Sequence, residues 1–181
     1  MSNLTDFFPS GGGGGLTPKF EEFNDSGTFT PSQALIDAGG YIELFLVGGG
    51  AFDSGNQNGG GGGEVIIKKM YLSSTNGCSV TIAAKKTGTG SGNSSSFLGS
   101  SAGGLNVTSS GGQTGLGQNN KMGAGFSNYA SSYGGSAGSG VLGYGAGGGY
   151  NMGVRVGKNN SGQGGAQTQS GSGYCLVKWY E

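Results

Sequence analysis

Apolar and polar residues alternate with a period of two in several short stretches of this chain, and only one stretch has the spacing of a helix. Tyr41 to Val47 (YIELFLV) puts Ile42, Leu44 and Leu46 on one face of a strand and Tyr41, Glu43, Phe45 and Val47 on the other. Both faces are largely apolar, so this strand is expected inside a sandwich or at an interface. Glu64 to Leu72 (EVIIKKMYL) reads as a second strand, with Val65, Ile67 and Tyr71 opposite Ile66, Met70 and Leu72. Ser79 to Ala84 (SVTIAA) alternates through Val80 and Ile82. With the turn sequence STNG at 74–77 between them, these two strands predict a β-hairpin across residues 64–86.

The final stretch SGYCLVKWYE forms another expected strand, and an end with that much apolar surface is expected to be docked. Shorter strands are expected at 27–30 (GTFT), 95–98 (SSFL), 105–108 (LNVT) and 154–156 (VRV). SQALIDA at 32–38, between Pro31 and Gly39, predicts one or two helical turns. Seven or eight short strands with almost no helix indicate an all-β fold, an antiparallel β-sandwich of jelly-roll-like type.

Composition changes this picture in one respect. Of 181 residues 46 are glycine, with only 3 prolines. Average usage is about 7% glycine, and collagen needs a strict period with abundant proline, so neither describes this chain. The glycine-rich segments are 48–63, 87–93, 99–104 and the tract 109–173. They are either flexible loops or polyglycine II helices packed against the β structure. Such helices repeat every three residues, bond only to neighbours and need glycine for close approach. Ordered packing is the expectation for the central tracts, because a structureless tract of that length inside a compact domain costs much entropy.

Charge is divided along the chain. Eight of the nine acids and one base, Lys19, fall in residues 1–64, while residues 65–180 hold eight bases and no acid. The halves should attract each other within or between subunits, and the basic half suits an anionic bacterial envelope. The bases are thinly spread and accompany no nucleic-acid motif, so no nucleic acid is expected as partner. No apolar run of about 18 residues occurs, so membrane insertion is not expected, and MSNLTDFFPS lacks a secretory signal pattern. Cys78 and Cys175 read as small apolar strand residues, with one disulfide as the lesser alternative.

Candidate chemistry is sparse. GYGAGG at 143–148 satisfies a dinucleotide-binding pattern, but at this glycine content about three such matches arise by chance, and no βαβ context surrounds it. GVRVGKN at 153–159 has its glycines too close for a phosphate loop and Asn159 where Ser or Thr is required. The chain has no histidine, and Glu21 and Glu22 point to opposite sides of an extended segment. Asp53, Asn56 and Asn58 read as turn residues that satisfy their own backbone. No enzyme and no cofactor or metal are expected. Phe126, Tyr129, Tyr133, Tyr144 and Tyr150, set among Gly, Ser and Asn, have the composition of recognition loops, or cap the glycine structure and seal subunit contacts.

The order SGTFTPSQALIDAGGYIELFLVGGG at 26–50, GGGGGEVIIKKMYL at 59–72, SVTIAA at 79–84, GNSSSFLG at 92–99 and GSGYCLVKWYE at 171–181 resembles the glycine-rich domain of bacteriophage tail fibre and adhesin proteins. The resemblance covers about residues 24–181 and implies polyglycine II helices packed against β structure. It also implies a virion component, made in the host cytoplasm and carried on the particle. The leader MSNLTDFFPSGGGGG looks like the docking leaders of small virion proteins. Residues 1–23 are therefore expected as a docking peptide and linker, and 24–181 as the β domain.

Phe7, Phe8 and Pro9 would dock to other virion proteins of tail or capsid, and Gly11 to Gly15 would form a tether of about 12 Å reach. The expectation is a homotrimeric short tail fibre or spike, with Phe126, Tyr129, Tyr133, Tyr144 and Tyr150 as candidate contacts to a bacterial surface glycan or outer-membrane protein. The alternatives are a head decoration protein or head fibre without receptor binding, and a secreted glycine-rich adhesin or ligand domain.

Overall fold

A computed structural model describes residues 15–52, 60–99, 106–113, 159–165 and 169–181. Eight strands and one short helix follow in the order β1 (Pro18–Phe23), β2 (Gly27–Phe29), α1 (Gln33–Asp37), β3 (Tyr41–Val47), β4 (Val65–Tyr71), β5 (Cys78–Thr81), β6 (Ser95–Leu98), β7 (Val107–Ser109) and β8 (Tyr174–Tyr180). They form two four-stranded antiparallel sheets, ordered β1-β8-β3-β4 and β2-β5-β6-β7. The fold is an all-β sandwich, divided four and four as in jelly rolls.

The inward positions of both sheets fill one core. Ile42, Leu44, Leu46, Met70, Cys175 and Val177 from the first sheet meet Phe29, Cys78, Val80, Phe97 and Val107 from the second. Trp179 lies edge-on to Phe29 at 5.3 Å, so the final strand is docked as its apolar surface required. The expected helix is present: Ser32 caps it by accepting from the Leu35 N–H at 3.0 Å, and Leu35 is fully buried. It ends where Gly39 and Gly40 adopt positive φ, and the Gly40 N–H returns to the Leu35 carbonyl at 2.8 Å.

Two expectations are corrected. β4 and β5 do not form a hairpin, because β4 pairs with β3 while β5 pairs with β2 and β6. Residues 73–77 turn a corner between the sheets, which sets Met70 and Leu72 across the core from Cys78 and Val80 instead of beside them. PKFEEF, on the linker side of the boundary expected at residue 24, is the edge strand β1, in register from Pro18 against Tyr180 to Phe23 against Cys175. The strand expected at 154–156 lies outside the described residues.

Five strand ends run into glycine-rich segments at one pole of the sandwich: 48–52 after β3, 60–64 before β4, 90–93 before β6, 110–113 after β7 and 169–173 before β8. Their hydrogen bonds repeat every three residues. Gly48 and Ala51 donate to Glu64 and Gly61, each at 2.9 Å; Gly49 and Phe52 donate to Asn93 and Gly90 at 2.9 and 3.0 Å; Gly50 donates to Gly171 at 3.0 Å. Segment 60–64 does the same: Gly60 and Gly63 reach Gly165 and Gly162, while Gly61 and Glu64 reach Gln113 and Ser110. A strand would show a period of two, and an irregular loop none. Threefold bonding to successive neighbours is the packing of polyglycine II, with segment 48–52 at its centre.

Candidate functional site

The two poles of the sandwich differ in construction. At the pole away from the glycine bundle the chain enters at Thr17, whose N–H donates to the Glu181 carbonyl at 2.6 Å and whose carbonyl accepts from the Glu181 N–H at 3.1 Å. The Glu181 carboxylate also accepts from the Ser32 hydroxyl, accepts from Trp179 Nε1 at 3.1 Å and faces Lys19 Nζ at 3.8 Å. These donors, Ser32 and Trp179 foremost, hold the Glu181 carboxyl below its ordinary value. One side chain thus ties β1, β8 and the cap of α1 where the N-terminal segment joins the fold.

The bundle pole is where the described chain stops at Gln113 and resumes at Asn159. Buried serines join it to the sheets. Ser95 Oγ accepts from the Ala83 N–H at 3.0 Å and donates to the Val47 carbonyl at 2.6 Å. Ser109 Oγ donates to the Glu64 carbonyl at 2.6 Å, and the Glu64 carboxylate accepts from the Ser110 N–H at 2.8 Å. These residues were not singled out from sequence; the available signal was a serine at an inward strand position, where an apolar residue is normal. A cleft of about 440 Å³ opens beside the bundle, lined by polar Asn24, Asp25, Ser26, Lys85, Asn159, Asn160 and Ser172 and by Ile82, Ala83 and Ala84.

A third surface is the outward face of the β1-β8-β3-β4 sheet. Cross-strand register sets its rows: Phe20, Lys178, Glu43 and Lys69 in one, then Glu22, Leu176, Phe45 and Ile67, with Tyr41 opposite Tyr71 beyond. Two depressions lie side by side on it, one of about 310 Å³ among Phe45, Ile67, Tyr174 and Leu176 and one of about 260 Å³ among Phe20, Tyr41 and Tyr180. Glu43 and Lys178 border both. The Lys69 ammonium lies 3.4 Å from Glu43 and 5.9 Å from the Tyr41 ring, and Tyr41 first, then Glu43, raises its pKa.

Phe7, Phe8 and Pro9 lie outside the described residues, as do Phe126, Tyr129, Tyr133, Tyr144, Tyr150, Asp53, Asn56 and Asn58. Neither Cys78 nor Cys175 is in a disulfide, and both are buried in the core. Burial, then the charge of Glu21, pushes the Cys175 thiol up to about 12, which leaves it an inert apolar group at neutral pH. Among the described residues no group of three or more His, Cys, Asp or Glu is placed to hold a metal ion. No helix among them is long and apolar enough to cross a membrane. No protein-family model matches the chain, and neither a curated protein nor a solved structure matches it.

Proposed function

We propose that this protein is a bacteriophage virion component, a short fibre or spike attached through its N-terminal segment with its glycine bundle directed outward. The observation that carries this reading is the polarity of the sandwich. Residues 1–14 join the fold at the pole clasped by Glu181, while the chain leaves and re-enters the described residues at the opposite pole, at Gln113 and Asn159. An anchored protein that meets a second surface requires this separation of ends. In this reading Phe7, Phe8 and Pro9 dock to other virion proteins and Gly11 to Gly15 let the domain tilt on its mount. The cleft among Asn24, Asp25, Lys85 and Asn160 suits hydroxyl-rich ligands such as envelope glycans and stands at the outward pole, and Phe126, Tyr129, Tyr133, Tyr144 and Tyr150 remain the candidate contacts of the sequence between Gln113 and Asn159.

The test is deletion of residues 1–15, which spares every described strand. The truncated protein is expected to remain folded and soluble, with unchanged circular dichroism, and to be absent from purified particles. Phe7→Ser with Phe8→Ser is expected to do the same. Normal incorporation of either variant contradicts the anchoring role.

A further inference from the structure

A sheet face that looks into water normally carries polar residues at its outward positions, and the outer face of the first sheet does not. Of its fifteen outward positions on β1, β8, β3 and β4, eleven are apolar or aromatic. Phe20, Ile67 and Tyr71 there are 69, 63 and 67% exposed. Among the described residues five large hydrophobics are exposed, and with Tyr180 four of them share this face. The opposite face of the same sheet is the core; on the outward face Val47 and Tyr174 are buried at the bundle end, where Gly162 lies against Val47, and the rest of the surface is left uncovered by any described element.

The charges on the face say what covers it. It carries two acids, Glu22 and Glu43, and two bases, Lys69 and Lys178. Glu43 is paired with Lys69 at 3.4 Å, whereas Lys178, directly across from Glu43 in register, makes no ion pair among the described residues. Lys178 and Glu43 occupy the two central strands of one cross-strand row, whose ends are Phe20 and Lys69. Rotation by 180° about an axis parallel to the strands, between β8 and β3, reverses that row. Lys178 then meets the second copy's Glu43, Glu43 meets the second copy's Lys178, and each Lys69 meets a Phe20 ring. The next row brings Leu176 onto Phe45 in both directions.

We infer that the outer face of the β1-β8-β3-β4 sheet is a two-fold interface between copies of this chain, with the Lys178–Glu43 contact made twice across it. Two sheets stacked face to face with their strands nearly aligned pack about 10 Å apart. The inference is independent of the virion reading and gives two copies where a homotrimer is the expectation from the sequence. With Val47 and Tyr174 already buried within one copy, thirteen positions per side fall short of the 20–30 of a standard interface, and a weak pair is expected, dissociating in the range of about 1 to 100 μM.

The test is sedimentation velocity on the full chain from about 1 to 200 μM. The expected result is a reversible monomer–dimer equilibrium. Lys178→Glu and Glu43→Lys, both at solvent-facing positions, each weaken it at least tenfold by placing like charges opposite each other twice. The double variant K178E/E43K restores opposite charges across the axis and is expected to return to within about threefold of the unaltered chain. Ile67→Asp weakens the dimer by the same route without altering the charge pair, and replaces a charge variant whose circular dichroism shows misfolding. A monomer throughout the range, a trimer, a dimer indifferent to all these changes, or a double variant as weak as the singles overturns the inference.

Discussion

At Gly50 the space that a side chain would occupy already holds the carbonyl oxygen of Gln163, and at Gly63 and Gly112 it holds those of Gly48 and Gly61. A Cβ at any of these positions falls within 3.0 Å of a backbone atom that three-residue bonding fixes in place. Gly88 has no heavy atom within 4 Å of the same point. Overpacking of this kind costs about 1–3 kcal/mol, and in a chain of this size each kcal/mol moves Tm by about 2–4 °C. Gly50→Ala, Gly63→Ala and Gly112→Ala are therefore each expected to lower Tm by about 3 °C or more in a thermal scan. Gly88→Ala is expected to leave it within about 1 °C. Equal effects at all four positions would mean that the glycines of the bundle act through chain entropy and not through close approach.

Among the elements, β8 is paired on both sides, by β1 and β3, and its end is clamped by Glu181. Because the native carboxyl of Glu181 is held below its ordinary value of 4.5, the unfolded chain binds that proton more readily. The stability it contributes is present above the unfolded value and is lost as pH falls through the lowered native value. Thermal unfolding of Glu181→Gln is expected to lie below that of the unaltered chain at pH 7 and to converge with it in acid, once pH has fallen through the lowered native value. Parallel profiles would remove the carboxylate from the clasp. The elements also show what sequence made legible. YIELFLV, EVIIKKMYL and GYCLVKWY have the alternation of strands, and SQALIDA carries a cap and a glycine stop. PKFEEF has no such signal, since an exposed first half and two carboxylates are what an edge strand tolerates when a neighbour supplies its bonds. The STNG turn fits a hairpin as well as a corner, and only the need to set Met70 opposite Cys78 and Val80 decides between them. The glycine segments named their own flexibility but not their partners, because threefold bonding is a property of several segments together.

At the scale of the whole molecule, the sandwich has two unlike ends. Acidic residues early in the chain and basic residues later meet in it at Glu43 and Lys69, so the divided charge of the sequence is partly spent within one copy. The bundle gathers ends from both sheets into one cap, through segments 48–52, 60–64, 90–93, 110–113 and 169–173. That cap holds Gln113 through its carbonyl bond to Gly61, while the Glu181 clasp at the opposite end holds Thr17. An image of virions carrying the protein, by electron cryomicroscopy at a resolution that fixes the orientation of the sandwich, tests this polarity directly. The expected density has the pole of Thr17 and Glu181 toward the particle and the glycine bundle away from it. A sandwich mounted by its bundle pole, or absent from the particle, contradicts the assignment.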